Sequence, residues 1–372
     1  MAIINNTTVF TINHAIHLCE VTRGITDQAI YKPMLLIGAV MGSAALIPNT
    51  LLVWATLRAK IYPANLRYLF AHLSANLGIY AFCLAMKNVS FLAAAPCDLI
   101  TNALWCRIRD LFYLIPWFNN IYSLVGITWE RLYCSINYRT YDKPNSKPWL
   151  AIVLITASWS AALIASIIQL PMVEPTRMIA LCDSLFTSSG SSSLPILVTD
   201  GTLELVSVLV LMVMFIIDMK KLKNSAINRA QFTLAERFQL GQCVQVHSTI
   251  APTVILHVAC YMPSFITLIL NRAHFDMSSE LRWKLSQISS INRLAYTLAH
   301  PILSFGRNAH LRKQLRNVLV PHRVPDWCKR VPVKSDHETA TEQQPRTIDR
   351  HFDIMENMWI KDNLAKQRPA KK

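Results

Sequence analysis

Charged residues are scarce in this chain. Asp, Glu, Lys and Arg make up only 16% of its 372 residues, whereas 52% are hydrophobic and the mean hydropathy is +0.29. That composition leaves too little polar surface to cover a soluble globule of this size. It therefore excludes an ordinary soluble domain and predicts a protein that resides in a membrane.

Motifs that mark enzymes are also missing. The sequence has no paired metal-binding histidine motif, no nucleophile elbow and no glycine-rich phosphate loop. Three histidines that lie in apolar runs, His72, His257 and His300, do not have the spacing of metal ligands on a helix. We therefore predict no enzyme activity, no catalytic residue, no metal site and no cofactor.

The first residues lack the features of a cleavable signal peptide. Residues 1–19 have no basic start and no sustained apolar stretch, so we expect the first span to act as a signal anchor. The formal charge of +15 does not predict a nucleic-acid partner, because the basic residues are distributed by membrane side.

Long apolar runs are what the chain has instead. A helix crosses a hydrocarbon core of about 30 Å with about 20 residues. Seven such runs can be placed, at 33–57, 66–86, 110–129, 149–170, 199–219, 244–270 and 284–305. They predict an all-α membrane protein, a seven-transmembrane helix bundle at 33–305 after an extracellular N-terminus at 1–32. An amphipathic interfacial helix at 306–320 and a mostly disordered cytoplasmic tail at 321–372 would follow.

Two of the seven runs contain polar residues that a lipid-facing surface would not tolerate. Asp200 and Glu204 lie in the outer part of the fifth run and make it the least secure of the seven. The third run begins with Arg109-Asp110 and holds Asn119-Asn120 in its middle. We expect the polar groups of the third run to face the interior of the bundle.

Loop charges and sequons favour an N-terminus on the outside. This orientation places the larger share of the 37 Lys and Arg residues in cytoplasmic loops and in the tail. Sequons at Asn5, Asn6 and Asn88 then lie on the outer side and are glycosylation candidates.

The same orientation places four cysteines outside: Cys19, Cys97, Cys106 and Cys182. An even number in an oxidising compartment permits two bridges, in any of three pairings. We favour Cys106 with Cys182, which would tie the third span to the loop between the fourth and fifth spans. Cys19 and Cys97 are then the leftover pair.

Three further motifs have a characteristic spacing. Cys106 and Glu130-Arg131 bracket the third run. The sixth run holds Cys260-Tyr261-Met262-Pro263, and the seventh ends in His300-Pro301-Ile302-Leu303-Ser304. Together with the seven runs, these spacings resemble those of rhodopsin-like G-protein-coupled receptors.

The resemblance implies a switch and two helix pivots. Glu130 would hold Arg131 at rest and release it to meet a G protein, while Pro263 and Pro301 would kink the last two spans. Plainer alternatives stay open. Arg131 can be an ordinary juxtamembrane arginine that reaches for the interface, and the prolines can be static kinks.

Several polar positions depart from the family pattern. Asn76 replaces the usual Asp of the second span and would face Asn120, so we predict no regulation by sodium. His300 and Ser304 replace the family's Asn and Tyr, and His300 can equally be a satisfied buried histidine. Asn49 and the other asparagines can simply form structural hydrogen bonds between helices.

Two sequence segments, at residues 129–142 and 232–240, narrow the resemblance to one group of receptors. They are similar to nematode serpentine chemoreceptors of the Sra superfamily, which comprises classes alpha, alpha/beta, beta and epsilon. Pro96-Cys97-Asp98 favours the alpha/beta class. That resemblance implies a chemosensory receptor in the plasma membrane, in the sensory cilia of chemosensory neurons. Its partners would be a small-molecule cue and a heterotrimeric G protein.

Candidate ligand contacts are judged by depth within the spans. They are Tyr113, Trp117, His257, Tyr261, Arg293 and Tyr296, although aromatic residues in spans are more often core than contact. Tyr113 and Leu294 stand where amine and retinal receptors keep an Asp and a Lys, which argues against those ligands. An unpaired Arg293 would be costly, so we expect it to pair with Asp110 or Glu204 or to meet an anionic ligand.

A seven-span ligand-gated channel or transporter is the alternative function. No inverted repeat or pair of broken short helices favours a transporter. Insect odorant receptors are seven-span channels of the opposite orientation, so loop charges and sequons distinguish that class. In the tail, Cys328 is either palmitoylated or an unmodified thiol. The sequence makes no prediction of oligomeric state.

Overall fold

Helices account for most of the chain that the computed structural model describes, which comprises residues 6–59, 62–137, 141, 148–168, 178–179, 182, 194–227, 232–272 and 278–319. They are α1 (Asn6–Thr26), α2 (Tyr31–Arg58), α3 (Ala64–Ala93), α4 (Ala103–Ile136), α5 (Trp149–Ile168), α6 (Leu194–Ile227), α7 (Leu234–Arg272), α8 (Ser279–Arg307) and α9 (Ala309–Leu319). A 3-10 helix (Pro96–Leu99) and two strands, β1 (Thr101–Asn102) and β2 (Met178–Ile179), accompany them. All belong to one unit, Met1–Val320. The second unit, Pro321–Lys372, lies outside the described residues, and so do the predictions for the tail and Cys328.

Helices α2 to α8 coincide with the seven predicted spans. Among the described helices, α2, α3, α5, α6 and α7 are long and apolar enough to cross a membrane by length and composition alone. α4 and α8 are more polar because they carry groups that the bundle buries, such as Asp110, Arg131 and Arg293. The predicted all-α bundle of seven spans, followed by a short helix, is confirmed.

Helix α4 lies at the centre of the bundle, since it packs against α3, α5, α6 and α7. Its side chains Leu114, Phe118 and Ile121 are at most 2% exposed and belong to the main core. Large apolar residues on the outer faces are exposed instead, for example Ile47 at 70% and Leu209 at 57%. A bundle that exposes apolar side chains and buries polar ones is suited to lipid rather than to water.

Asp200 and Glu204, the two acidic residues that made the fifth span the least secure prediction, both point into the bundle. Asp200 accepts a hydrogen bond from the hydroxyl of Tyr122 on α4 at 2.8 Å. A carboxylate oxygen of Glu204 lies 3.3 Å from Nε2 of His257 on α7. Both acidic residues are at most 1% exposed. Because their carboxylates turn inward, the lipid-facing side of α6 stays apolar.

The prediction that the polar groups of α4 face inward is correct for three residues and wrong for one. Asp110, Asn119 and Asn120 are buried. Arg109 is exposed, whereas Arg107, which the prediction passed over, is buried. Positions two apart point to roughly opposite sides of a helix, so the rotation of α4 decides which arginine faces inward. The sequence pattern did not reveal that rotation.

Two disulfides lie at one end of the bundle, called here the disulfide end. Cys106 on α4 is bonded to Cys182, and Cys19 on α1 is bonded to Cys97 in the 3-10 helix. Next to them β1 and β2 pair antiparallel, with Thr101 opposite Ile179. Helix α1 was not predicted, because its sequence has neither a sustained apolar run nor a clear amphipathic pattern.

Helix α9 is fixed at the other end, called here the Arg131 end. Asn308 Oδ1 accepts a hydrogen bond from the main-chain N–H of Leu311 at 3.1 Å and so caps α9. Its Nδ2 donates to the hydroxyl of Tyr62 at 2.5 Å. Burial raises the pKa of Tyr62 to about 12, although this hydrogen bond and the charge of Arg131 act in the opposite direction. The phenol therefore stays protonated at neutral pH and anchors the start of α9.

Candidate functional site

Glu130 and Arg131 lie near the end of α4, and both side chains are fully buried. They form a bidentate ion pair, in which Nε of Arg131 donates to Oε2 of Glu130 and Nη2 donates to Oε1. Paired hydrogen bonds between charged groups are stronger than those between neutral groups. Among the described residues, nothing accepts a hydrogen bond from the remaining nitrogen, Nη1. Glu130 thus holds the guanidinium while leaving both N–H groups of Nη1 unused.

A tyrosine from the connection between α4 and α5 closes over this pair. The hydroxyl of Tyr141 donates to Oε1 of Glu130, and its ring lies 5.9 Å from that of Tyr133 in an edge contact. Burial, together with the charge of Glu130, raises the pKa of Tyr141, so its hydroxyl stays protonated and able to donate. Sequence reasoning noted Tyr141 only as part of a family-like string, because a loop residue has no periodicity that would predict this contact.

A small cleft, with room for about one water molecule, opens beside the ion pair. We call it the Arg131 cleft, and it is lined by Pro63, Arg131, Cys134, Tyr141, Gln239, Gln242, Cys243 and Val246. These residues come from α4 and α7, from the connection between α2 and α3, and from the connection between α4 and α5. One cation with two neutral amides makes the cleft suitable for carbonyl-rich or negatively polarised groups, such as the C-terminal end of a helix.

Two contacts between helices near this cleft were not predicted. The sulfur atoms of Cys134 on α4 and Cys243 on α7 lie 2.9 Å apart. Asp218 on α6 accepts a hydrogen bond from Ser135 on α4 at 2.6 Å and lies 3.3 Å from Nδ1 of His247 on α7. Both contacts depend on how the helices are rotated, which a single sequence does not show.

Three predicted polar-core asparagines bridge pairs of helices. Asn76 on α3 donates to Oδ1 of Asn120 on α4 at 2.5 Å. Asn120 donates to the hydroxyl of Tyr261 on α7 at 3.2 Å. Asn49 on α2 donates to the main-chain carbonyl of Thr297 on α8 at 2.9 Å. These are the bonds expected of structural amides inside a membrane bundle, and the absence of sodium regulation stays a prediction.

His300 meets a partner at each ring nitrogen. Nε2 lies 3.3 Å from the hydroxyl of Ser74 on α3, and Nδ1 lies 3.4 Å from the hydroxyl of Tyr296. The geometry is that of a satisfied buried histidine. Ser304 donates to the main-chain carbonyl of His300 at 2.8 Å and so bonds within its own helix. Helix α8 continues through Pro301, and α7 likewise continues through its two prolines; the pivot roles stay predictions.

Three of the candidate ligand contacts pack ring against ring. His257 stacks on Tyr261 with centroids 4.0 Å apart and meets Tyr296 edge-on at 4.7 Å. All three are at most 1% exposed. This arrangement agrees with the core interpretation of these aromatic residues better than with direct ligand contact.

Arg293 and Trp117 form a separate group. The guanidinium lies 5.0 Å from the ring centroid of Trp117 and 5.9 Å from that of Tyr80. Its Nη2 donates to Ser290 at 3.1 Å. In the described part of the chain, no carboxylate lies within ion-pair distance of Arg293. Aromatic faces therefore supply the local negative potential around this cation.

The expected partners of Arg293 are engaged elsewhere. Asp110 lies 3.6 Å from Nζ of Lys87 and accepts a hydrogen bond from Tyr113 at 3.0 Å. Glu204 lies beside His257 instead. Neither carboxylate therefore pairs with Arg293, and of the three expected partners the anionic ligand stays a prediction. Tyr113, the sixth ligand candidate, belongs to the Lys87 and Asp110 cluster on the disulfide side of Trp117.

The glycosylation candidate Asn88 lies inside α3 rather than in a loop. It is 2% exposed. A Cβ on Gly38 of α2 would fall 2.3 Å from its Nδ2, so glycine is needed for the close packing of these two helices. Burial of this amide in the folded chain argues against a glycan at Asn88. Asn5 and the side chain of Asn6 lie outside the described residues.

Comparisons with known proteins agree with this arrangement. A family model described as 7 transmembrane receptor (rhodopsin family) matches residues 48–303. A Caenorhabditis elegans protein named Serpentine receptor class alpha/beta-14 is 20% identical over 92% of this chain and 93% of its own length. A Mus musculus protein named G-protein coupled receptor 176 is 20% identical over 74% of this chain and 55% of its own length. All of these matches are to receptors and none is to an enzyme.

Proposed function

Because the chain belongs to the rhodopsin family of seven-transmembrane receptors, we propose that it is a chemosensory receptor that activates a heterotrimeric G protein. It binds a small chemical cue inside the bundle. The observation that carries the G-protein part is the buried Glu130 and Arg131 pair, covered by Tyr141 and placed beside a cleft. A receptor needs such a site where an internal change can expose a charged group to a partner.

Activation consists of releasing Arg131 from Glu130. Both groups are buried, so the resting state keeps the guanidinium away from any partner. The cleft lies between α4 and α7, and Pro263 in α7 removes one main-chain hydrogen bond from that helix. Movement of the Cys243 half of α7 about Pro263 widens the cleft and admits the G protein. Arg131 and the amides of Gln239 and Gln242 then face carbonyl groups of the partner.

The orientation proposed for the receptor places the disulfide end outside and the Arg131 end in the cytoplasm. Disulfides persist in oxidising compartments, which supports an outer position for the bonded cysteines. The basic cluster at Lys220, Lys221 and Lys223 on α6 supports a cytoplasmic position for the other end. The name of the nematode relative, Serpentine receptor class alpha/beta-14, supports the alpha/beta class. The place in sensory cilia is proposed from the resemblance to nematode chemoreceptors.

The cue is proposed to reach Arg293 and Trp117. Nε of Arg293 is buried and has no hydrogen-bond acceptor among the described residues. A buried cation without a carboxylate partner is costly inside a membrane. An anionic or electron-rich cue would supply the missing acceptor.

Substitutions in the ion pair test the proposed G-protein switch. We expect Glu130→Gln to raise ligand-independent G-protein activation several-fold, because a neutral amide binds a guanidinium less tightly than a carboxylate does. We expect Arg131→Ala to abolish activation. Both are measured by a G-protein reporter in cells, with surface levels followed through an epitope tag.

Arg109→Ala is the matched control, because Arg109 lies on the same helix but is exposed at the disulfide end. It should leave activation unchanged. Normal signalling by Arg131→Ala at a normal surface level would contradict the role assigned to Arg131.

A further inference from the structure

Two free thiols meet across the Arg131 cleft. Cys134 follows Arg131 by one helical turn on α4, and Cys243 lies on α7. Their sulfur atoms are 2.9 Å apart, and a disulfide bond needs a separation of about 2.05 Å. An approach of about 0.9 Å would therefore join them. Neither cysteine belongs to the two disulfides at the other end of the bundle.

Both thiols also line the cleft, although each is largely buried. Cys134 is 3% exposed and Cys243 is 6% exposed. Large reagents are therefore excluded, while a small oxidant can enter from the cleft. In the orientation of the proposed function this cleft opens to the cytosol, where thiols are kept reduced at rest and disulfides that do form are mostly transient and regulatory.

We propose that Cys134 and Cys243 form a reversible disulfide when the cytosol contains hydrogen peroxide, and that this bond holds the Arg131 cleft closed. One thiolate attacks a peroxide oxygen, which gives a sulfenic acid and, with a proton, one water molecule. The second thiol displaces the hydroxyl from that sulfur, which forms the disulfide and releases a second water molecule. Peroxide gains the two electrons that the two thiols lose. A cytosolic dithiol or glutathione reverses the step by thiol exchange.

The bond would oppose activation because it joins the two helices that must separate. This part rests on the proposed function, in which the Cys243 half of α7 moves away from α4 to admit a G protein. A covalent link at the sulfur atoms fixes these helices next to Arg131, within one turn of the ion pair. The oxidised receptor therefore keeps its charged pair covered, whatever occupies the ligand site.

The test uses the full-length receptor in cell membranes exposed to hydrogen peroxide. After thiol blocking and digestion, mass spectrometry identifies peptides that contain Cys134 joined to Cys243. Guanine-nucleotide exchange on an added G protein is measured in the same membranes, before and after dithiothreitol. The variants are Cys134→Ser and Cys243→Ser, with Cys260→Ser as the matched control, because Cys260 is a half-buried free thiol on the same helix.

We expect the joined peptides to appear in the wild type and in Cys260→Ser. Guanine-nucleotide exchange should fall in proportion to the fraction of joined peptides, and dithiothreitol should restore it. Both other serine variants should keep exchange under peroxide. Absence of the joined peptides from the oxidised wild type would overturn the disulfide, and this result requires no variant to fold. Equal loss of exchange in the serine variants would overturn its regulatory effect. If neither redox state supports exchange, the proposed function fails, while peptide mapping still decides the disulfide.

Discussion

Basic side chains in the interior of the described bundle differ in whether a carboxylate lies beside them. Arg131 is paired with Glu130, and Lys87 lies 3.6 Å from Asp110. Arg293 is 7% exposed, and the described residues that interact with its guanidinium are two aromatic rings and one hydroxyl. Since an unpaired cation in a span is costly, its presence suggests that function rather than stability maintains it.

This difference predicts opposite effects of two matched substitutions. Arg293→Met should raise the thermal stability of the purified receptor in detergent, because it removes a buried cation that lacks an anion. Lys87→Met should lower stability, because it removes a cation that lies 3.6 Å from the buried carboxylate of Asp110. Melting temperatures followed by a thiol-reactive dye or by fluorescence would compare the two. A marked loss of stability in Arg293→Met would show that Arg293 is structural.

Contacts between neighbours along the chain were easier to predict than contacts that depend on packing. The pairing of Glu130 with Arg131 was expected from residue types and spacing and is present, while the switch role of this pair and the pivot role of Pro263 stay predictions. Neither carboxylate expected beside Arg293 lies there, and the contact of Tyr141 with Glu130 was missed. Both depend on the rotation of helices and on the path of a loop, and neither leaves a periodic signal in the sequence.

Among the elements, α9 is attached at its start through one amide that makes two bonds. Asn308 both caps α9 and holds the hydroxyl of Tyr62, in the connection between α2 and α3. The amphipathic pattern of residues 309–319 predicted the helix, but this pattern does not indicate what its first turn is attached to. The anchoring of α9 is therefore a structural result.

Two substitutions separate the functions of this amide. Asn308→Ala should weaken the first turn of α9 by about 1 kcal/mol, because it removes both the cap and the bond to Tyr62. Asn308→Asp should retain the cap, since a carboxylate also accepts from the main chain, but it loses the donor to Tyr62. Hydrogen exchange at the Leu311 amide measures the cap. Equal protection of the Leu311 amide in the wild type, in Asn308→Ala and in Asn308→Asp would contradict the role of Asn308 as the cap.

Over the whole molecule, the arrangement of polarity is the reverse of that in a soluble protein. Apolar side chains such as Ile47 and Leu209 are exposed, while amides and histidines bridge helices in the interior. The seven spans could be predicted because their length and hydropathy reflect the thickness of a bilayer. The polar contacts inside could not, because the sequence does not specify which faces of seven helices meet.

The orientation of the whole molecule is a separate prediction. With the disulfide end outside, an epitope tag at the N-terminus should be stained on intact cells, and a tag at the C-terminus only after permeabilisation. The physical reason is the excess of basic residues on the Arg131 side. Staining with the reverse pattern would rule out activation of a cytoplasmic G protein through the Arg131 cleft.

The positions of the bonded cysteines along the chain also impose an order on its synthesis. In the proposed orientation, Cys97 and Cys106 reach the outer side together, well before Cys182, which lies 76 residues after Cys106. Cys19 therefore encounters two free thiols, and only one of them is its native partner. We expect the packing of α1 against the 3-10 helix that carries Cys97 to select between them. Early docking of α1 would then keep Cys106 available for Cys182, which the ribosome has yet to make.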